Sequence, residues 1–201
     1  IAAECYHPNG RARLLDAQGR IRALVNNYRF LSFNVGPTLL AWLAAHAPEA
    51  YAAIHAADRE SAAGAPREGN AIAQGYNHAI LPLASRRDKR TQVRWGLADF
   101  RHRFGRDAEA LWLPETAVDG ETLAVLAEHG LRYVLLAPEQ AQRIRPGGHG
   151  AWHPAERALD VRRAYRIRLG GSGDGAGSLA ALFFHGPLSR GIAFEGLAQS
   201  A

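Results

Sequence analysis

The stretch EALWLPETAVDGETLAVLAEHGLRYVLL, residues 109–136, decides how this chain is read. It opens on a short apolar run, 111–113, which stops at Pro114 and is followed at once by one acid, Glu115. Asp119 stands where a helix start needs a side-chain acceptor for its unpaired N–H groups. Residues 121–129 then carry a helix that Gly130 stops. Residues 131–136 are an unbroken apolar run, the pattern of a parallel strand covered on both faces. Strand, helix and strand in succession predict a parallel α/β sheet or barrel.

Working outward, the alternation continues. Residues 29–33 (RFLSF) are a strand candidate, and Gly36-Pro37 opens a helix over 38–47. Pro48 restarts a helix that runs to about residue 63, and 61–70 (SAAGAPREGN) reads as a surface loop. Residues 70–84 read as a strand running into a loop. Asp88 can cap a helix over 89–104, which Gly105 ends. Residues 145–177 are less regular, with a strand at 165–169, and 179–184 (LAALFF) form another buried strand. No repeat and no second domain is evident.

In parallel α/β folds, reactive side chains gather at the C-terminal ends of strands. Four stretches hold that position: Ser32-Phe33-Asn34, Tyr76-Asn77-His78, Trp112-Leu113-Pro114-Glu115 and Phe184-His185-Gly186. The expectation is that Glu115, His78 and Asn34 converge on one end of the sheet.

Composition narrows the class. The chain has 201 residues, 47% hydrophobic and 21% charged, which is ordinary for a soluble globular protein. The net charge of +5 is scattered arginine interleaved with acids, and Lys89 is the only lysine. No block of like charge suggests a nucleic-acid partner. No apolar run approaches the ~20 residues that span a bilayer. Cys5 is the sole cysteine, which excludes an intrachain disulfide or a cysteine-based zinc knuckle and fits a reducing, cytoplasmic setting. The sequence contains no methionine and stops soon after an apolar strand, so both ends are expected to be truncated.

The residues at the strand ends each have two readings. Glu115 could complement a helix dipole, and Trp112 could be core. Together, a carboxylate beside aromatics is what sugar chemistry uses: the carboxylate attacks or stabilises an anomeric carbon while the ring packs on C–H-rich sugar faces. His78 could be structural, or could hydrogen-bond a sugar hydroxyl. His149 and His153 have an HxxxH spacing, but the frame GGHGAWHP does not suit a helix and offers no third ligand, so no metal is expected. The glycine-rich 171–175 lacks a following Lys-Ser/Thr and reads as a connection, not a phosphate cradle. No Gly-x-Ser-x-Gly elbow is present, and Cys5 has no evident base.

Taken in order, ECYHPN (4–9), VNNYRFLSFNVGPTLLAWL (25–43), AQGYNHAILPLASRRDKRTQVRWGLADFRHRFGR (73–106), ALWLPETAVDGETLAVLAEHGLRYVLLAPEQA (110–141) and ALFFHGPLSRGIAFEGL (181–197) resemble glycoside hydrolase family 57, specifically a bacterial branch of α-amylase/α-mannosidase-like members. The resemblance implies an α/β fold, an incomplete seven-stranded (β/α) barrel present here as a fragment, with residues 1–201 part of one catalytic domain. It implies a retaining glycoside hydrolase or glucanotransferase that acts on α-linked oligosaccharides or polysaccharides without metal or organic cofactor. Glu115 matches the family's nucleophile and His78 a histidine lining the same pocket, with Asn34 and Trp112 near the sugar subsite. The acid/base Asp of the family belongs to a later strand, beyond residue 201, and Glu195 matches no family acid. Wider relatives carry Arg-Asp where this chain has His185-Gly186, and a His-containing strand that opens the family's barrel is absent ahead of ECYHPN. Two other readings stand beside this one. A polysaccharide deacetylase of related barrel fold needs an Asp and two His ligands, which these spacings do not supply. A non-catalytic glycan-binding protein with a decayed site is the other.

Overall fold

A computed structural model describes residues 2–64, 69–170 and 177–197. The architecture is mixed α/β and divides into two units, Ile1–Ala79 with Arg90–Trp112, and Ile80–Lys89 with Leu113–Ala201.

In the first unit, a π-helical turn (Ala2–Tyr6) leads into α1 (His7–Gly10) and then a hairpin of β1 (Ala12–Leu15) and β2 (Ile21–Val25). These two strands pair antiparallel, and Asp16 closes the turn by accepting from the Gln18 and Arg20 amides, both at 2.9 Å. The next strand is β3 (Phe33–Asn34), not 29–33. The reason is local. The Asn26 side chain accepts from the Tyr28 amide and winds Asn27–Arg29 into a 3-10 turn. That turn buries Tyr28, whose ring meets the edge of Phe33 at 5.1 Å.

Helices α2 (Pro37–His46) and α3 (Pro48–Ala63) both start on a proline, whose fixed φ suits the first turn and whose missing N–H costs nothing there. Leu43, Ala50, Ile54 and Ala57 of this pair form a buried cluster with Tyr28. The central strand β4 (Ala71–Gln74) is buried along its whole length. The last helix of this unit, α4 (Arg86–Phe104), starts at Ser85 rather than Asp88. The Ser85 hydroxyl accepts from the Asp88 amide at 3.2 Å and donates to the Asp88 carboxylate at 2.7 Å. Gly105, at φ +69°, ends it. Strand β5 (Leu111–Trp112) follows, and β3, β4 and β5 form one parallel sheet in that order.

Asp58 on α3 anchors the start of β4. Its buried carboxylate accepts from the Ala71 amide at 2.8 Å and from Arg106 Nη2 and Nε at 2.7 and 3.0 Å. Arg106 Nη2 also donates to the Ala71 carbonyl at 2.9 Å. At the other end of β4, α4 presses close: a Cβ on Gly96 would lie 2.1 Å from the Gln74 carbonyl oxygen.

The second unit opens on a 3-10 turn (Leu81–Leu83) and the first residues of α4. Asp119 caps α5 (Gly120–Glu128) by accepting from the Thr122 amide at 2.6 Å, and Gly130 at φ +78° ends the turn that follows. Lys89 Nζ donates to Asp119 at 2.9 Å and Glu121 at 2.8 Å, with the ammonium side chain only 3% exposed. Burial alone would lower the Lys89 pKa, but the hydrogen bonds it donates to Glu121 and Asp119 outweigh that and hold it above the ordinary value.

Strand β6 (Tyr133–Leu136) alternates buried and half-buried residues, so it is not equally covered on both faces. A small hairpin, β7 (Arg143–Ile144) with β8 (His153–Pro154), precedes α6 (Ala155–Ala158). The order of the main sheet is β6, then β10 (Ser178–Phe183), then β9 (Tyr165–Arg168). β10 is parallel to β6 but antiparallel to β9, so the sheet is mixed and the expectation of an all-parallel arrangement is corrected here. A helix the sequence reading did not foresee, α7 (Gly186–Phe194), follows β10, its first turn capped by His185 Nδ1 accepting from the Leu188 amide at 3.1 Å. The glycine-rich 171–175 and residues 65–68 of the expected loop 61–70 lie outside the described residues, while 61–63 belong to α3. No helix among the described residues is long and apolar enough to cross a membrane.

Candidate functional site

Parallel pairing brings the last residues of three strands, Asn34, Gln74 and Trp112, to one edge of the sheet in the first unit. A cavity of about 340 Å³ opens at that edge, with Tyr6, Asn34, Gly36, Gln74, Tyr76 and His78 among its lining residues. Asn34 and His78 therefore share one cavity. Trp112 ends β5 half-buried and does not line it; the aromatic rings that do are Tyr6 and Tyr76.

Gln74 was not singled out from sequence, although the signal was there: a polar amide directly ending the apolar run Ala-Ile-Ala. It is buried, and its Oε1 accepts from Asn34 Nδ2 at 2.7 Å. With that bond made, Asn34 Oδ1 remains as an acceptor, and the second Nδ2 N–H of Asn34 and the Nε2 N–H groups of Gln74 remain as donors. A hydroxyl group, which both donates and accepts, fits such a pair. Gly36 makes room for the amide, since a Cβ there would fall 2.4 Å from Gln74 Nε2.

The backbone beyond β4 is held by Gln92 on α4. Its carbonyl accepts from the Tyr76 amide at 3.2 Å, and its Oε1 accepts from the Asn77 amide at 2.7 Å. The Tyr76 ring meets Trp95 edge-on at 5.6 Å. His78 then takes a left-handed conformation, φ +54°, and its amide donates to the Gly75 carbonyl at 3.3 Å.

In the second unit, Glu115 sits inside a 3-10 turn (Pro114–Thr116) that is not helical at its centre. Glu115 and Thr116 both have φ +53°. Among the described residues, the only non-glycine positions with positive φ are these two and His78. Such conformations cost on the order of 1–3 kcal/mol each, and a β-branched threonine there is a true outlier. The turn places an exposed carboxylate between two buried neighbours, Pro114 and Thr116. Several bonds hold it: Thr116 N to Leu113 O at 2.8 Å, Ala117 N to Pro114 O at 3.0 Å, and Thr116 Oγ1 to Glu115 O at 2.7 Å. Gln140 Nε2 also donates to the Thr116 carbonyl.

The remaining sequence candidates are dispersed. His149 follows a 3-10 turn and His153 lies in β8, both exposed and neither on a helix. No group of three or more His, Cys, Asp or Glu among the described residues could hold a metal ion. Glu195 follows a helix, not a strand, and Cys5 is exposed.

Two solved structures share the fold. The 4-α-glucanotransferase from Thermococcus litoralis superposes with a TM-score of 0.53 at 17% identity, covering 86% of this chain and 24% of that one. The GH57-type branching enzyme from Pyrococcus horikoshii superposes with a TM-score of 0.50 at 15% identity, covering 78% of this chain and 27% of that one. The chain thus spans about a quarter of the length of these structures. No curated protein matches it in sequence. Residues 68–201, two thirds of the chain, match the family described as Glycosyl hydrolase family 57. The chain therefore belongs to glycosyl hydrolase family 57.

Proposed function

We propose that this chain is part of the catalytic domain, an incomplete (β/α) barrel, of a retaining glycoside hydrolase or glucanotransferase that acts on α-linked glycans. The observation that carries the reading is the Glu115 turn: an exposed carboxylate on a left-handed backbone between two buried residues. A chain that only needed an acid before α5 would have no reason to bear this strain, and strain of this kind concentrates at functional sites. Family membership and the fold shared with a glucanotransferase and a branching enzyme support the same reading.

In this mechanism Glu115 attacks the anomeric carbon as the glycosidic C–O bond breaks and the leaving sugar oxygen takes a proton from a second carboxyl group. The covalent glycosyl-enzyme intermediate is then resolved by water or an acceptor sugar, which gives its proton back to that group. Retention needs a second carboxyl group about 5–5.5 Å from the first, acting as acid and then base. Among the sequence candidates Glu195 follows a helix rather than a strand end, and it is not assigned that role. Asn34, Gln74 and His78 are proposed to hold sugar hydroxyls in their cavity, where a donor and an acceptor lie side by side. Trp112 is proposed as a further sugar contact at the same sheet edge.

The test uses the full-length protein that carries this chain. Incubation with a slow-leaving fluorinated α-glycosyl substrate, followed by peptide mass spectrometry, is expected to find the label on Glu115. Glu115→Gln should lower turnover by several orders of magnitude and leave glycan binding intact. A label on another residue, an inverted product, or binding with no Glu115-dependent turnover would each refute the reading.

A further inference from the structure

We infer that Gln140 is a positioning residue for the Glu115 carboxylate, an inference that rests on the reading of Glu115 as nucleophile. The observation is a side chain fixed at both ends. Gln140 closes the 3-10 turn (Pro138–Gln140) that follows β6. Its Oε1 accepts from the Ala137 amide at 2.8 Å, and its own amide donates to the Ala137 carbonyl at 3.0 Å. The amide is thereby oriented so that Nε2 is the group presented to the Thr116 carbonyl.

Thr116 is where such a tie matters. It is the second of two consecutive left-handed residues, and a β-branched side chain resists that conformation. The bonds from Thr116 N to Leu113 and from Thr116 Oγ1 to Glu115 are made within the turn itself. They move with it. Gln140 ties the turn from outside, to a segment anchored by a strand that is paired in the sheet. A peptide that relaxed towards right-handed φ at Thr116 would rotate the Glu115 unit that precedes it. A nucleophile displaced by about 1 Å can lose on the order of 100-fold in rate. The interaction thus acts on the direction of the carboxylate and not on substrate affinity.

The substitution that isolates this bond is Gln140→Glu. It keeps the length and the oxygen that accepts from Ala137, removes the donor to Thr116, and sets a carboxylate against a carbonyl. In the full-length protein kcat is expected to fall about 10- to 100-fold with KM changed less than about twofold. The loss should shrink at low pH, where the introduced carboxyl is protonated and again donates. Labelling of Glu115 by the fluorinated glycoside should slow in proportion. Gln140→Leu, which removes the donor without adding charge, should show the same loss of kcat without the added pH dependence. Circular dichroism and assays well below the melting temperature restrict the comparison to folded protein. If both variants melt earlier but keep the wild-type kcat and pH profile while Glu115→Gln is inactive, Gln140 is merely structural and the inference is overturned. If Glu115→Gln is itself active, the nucleophile reading fails and this inference fails with it.

Discussion

Replacing Arg106 with leucine removes the cation that the Asp58 carboxylate is built around. The Asp58 side chain is 2% exposed and receives two hydrogen bonds from Arg106 and one from the Ala71 amide. After Arg106→Leu only the Ala71 bond remains, and the Ala71 carbonyl loses its donor from Arg106. Breaking a buried ion pair from one side costs about 3–5 kcal/mol. Arg106 is itself 21% exposed, so water can enter the vacated space and the expected cost lies near the lower end, about 3 kcal/mol. For a chain of this size that corresponds to a fall in Tm of about 6–12 °C. Urea titration should show a lower midpoint with an unchanged slope. The double variant Asp58→Asn with Arg106→Leu should recover part of the loss, a coupling of at least about 1 kcal/mol. A cost below about 1 kcal/mol, or strictly additive effects, would refute the view that this pair anchors β4 and with it the sheet edge that carries Gln74.

Two further outcomes follow from the same physical reasoning. Gly36→Ala places a Cβ 2.4 Å from Gln74 Nε2 and must displace the amide that Asn34 holds. Loss of roughly one hydrogen bond, about 1 kcal/mol, should raise KM for the glycan about fivefold with kcat little changed, and an unchanged KM in steady-state assays counts against the cavity as a sugar site. His55 is buried between the Tyr51 and Phe104 rings, and burial, aided by Arg59 and Arg103, lowers its pKa. The unfolded chain then binds the proton more readily, so stability is full above about pH 6.5 and declines below it by up to about 1.4 kcal/mol per pH unit. His55→Phe should flatten urea midpoints measured between pH 7 and 5; an equally steep decline in the variant would show that other groups cause it.

Much of the helical framework could be read from the chain because its signals are local. Pro37 and Pro48 preset the first turns of α2 and α3, and Asp119 with Gly130 brackets α5. The misses have physical causes too. The β1–β2 hairpin leaves Leu14, Leu15, Ile21 and Leu24 exposed, so no inward-outward alternation marks it. At 29–33 an asparagine cap overrode an apolar run, and at α4 a serine three residues before Asp88 took the capping role. Strand direction leaves no trace in periodicity, which is why β9 was not foreseen as antiparallel. At the site, apolar runs ending in polar residues pointed to Asn34 and His78, which line one cavity. Gln74, which ends an apolar run in the same way, carried that signal too, but its pairing with a residue 40 positions away left no trace, and Gln140 was not legible because its partner lies 24 residues away. The left-handed turn at Glu115 and Thr116 has no glycine to announce it.

The Lys89 ammonium, held by Asp119 and Glu121 where α4 begins, also governs how this chain meets amine chemistry. It carries the only ε-amine among the 201 residues, and that amine is shut away from reagents. Acylating labels and lysine-specific proteases will find no ready target here while the chain is native. They can act only when the start of α4 lifts off its two acids. The rate at which this one peptide becomes acetylated in mass spectrometry is therefore a clock for local opening, one that needs no introduced probe.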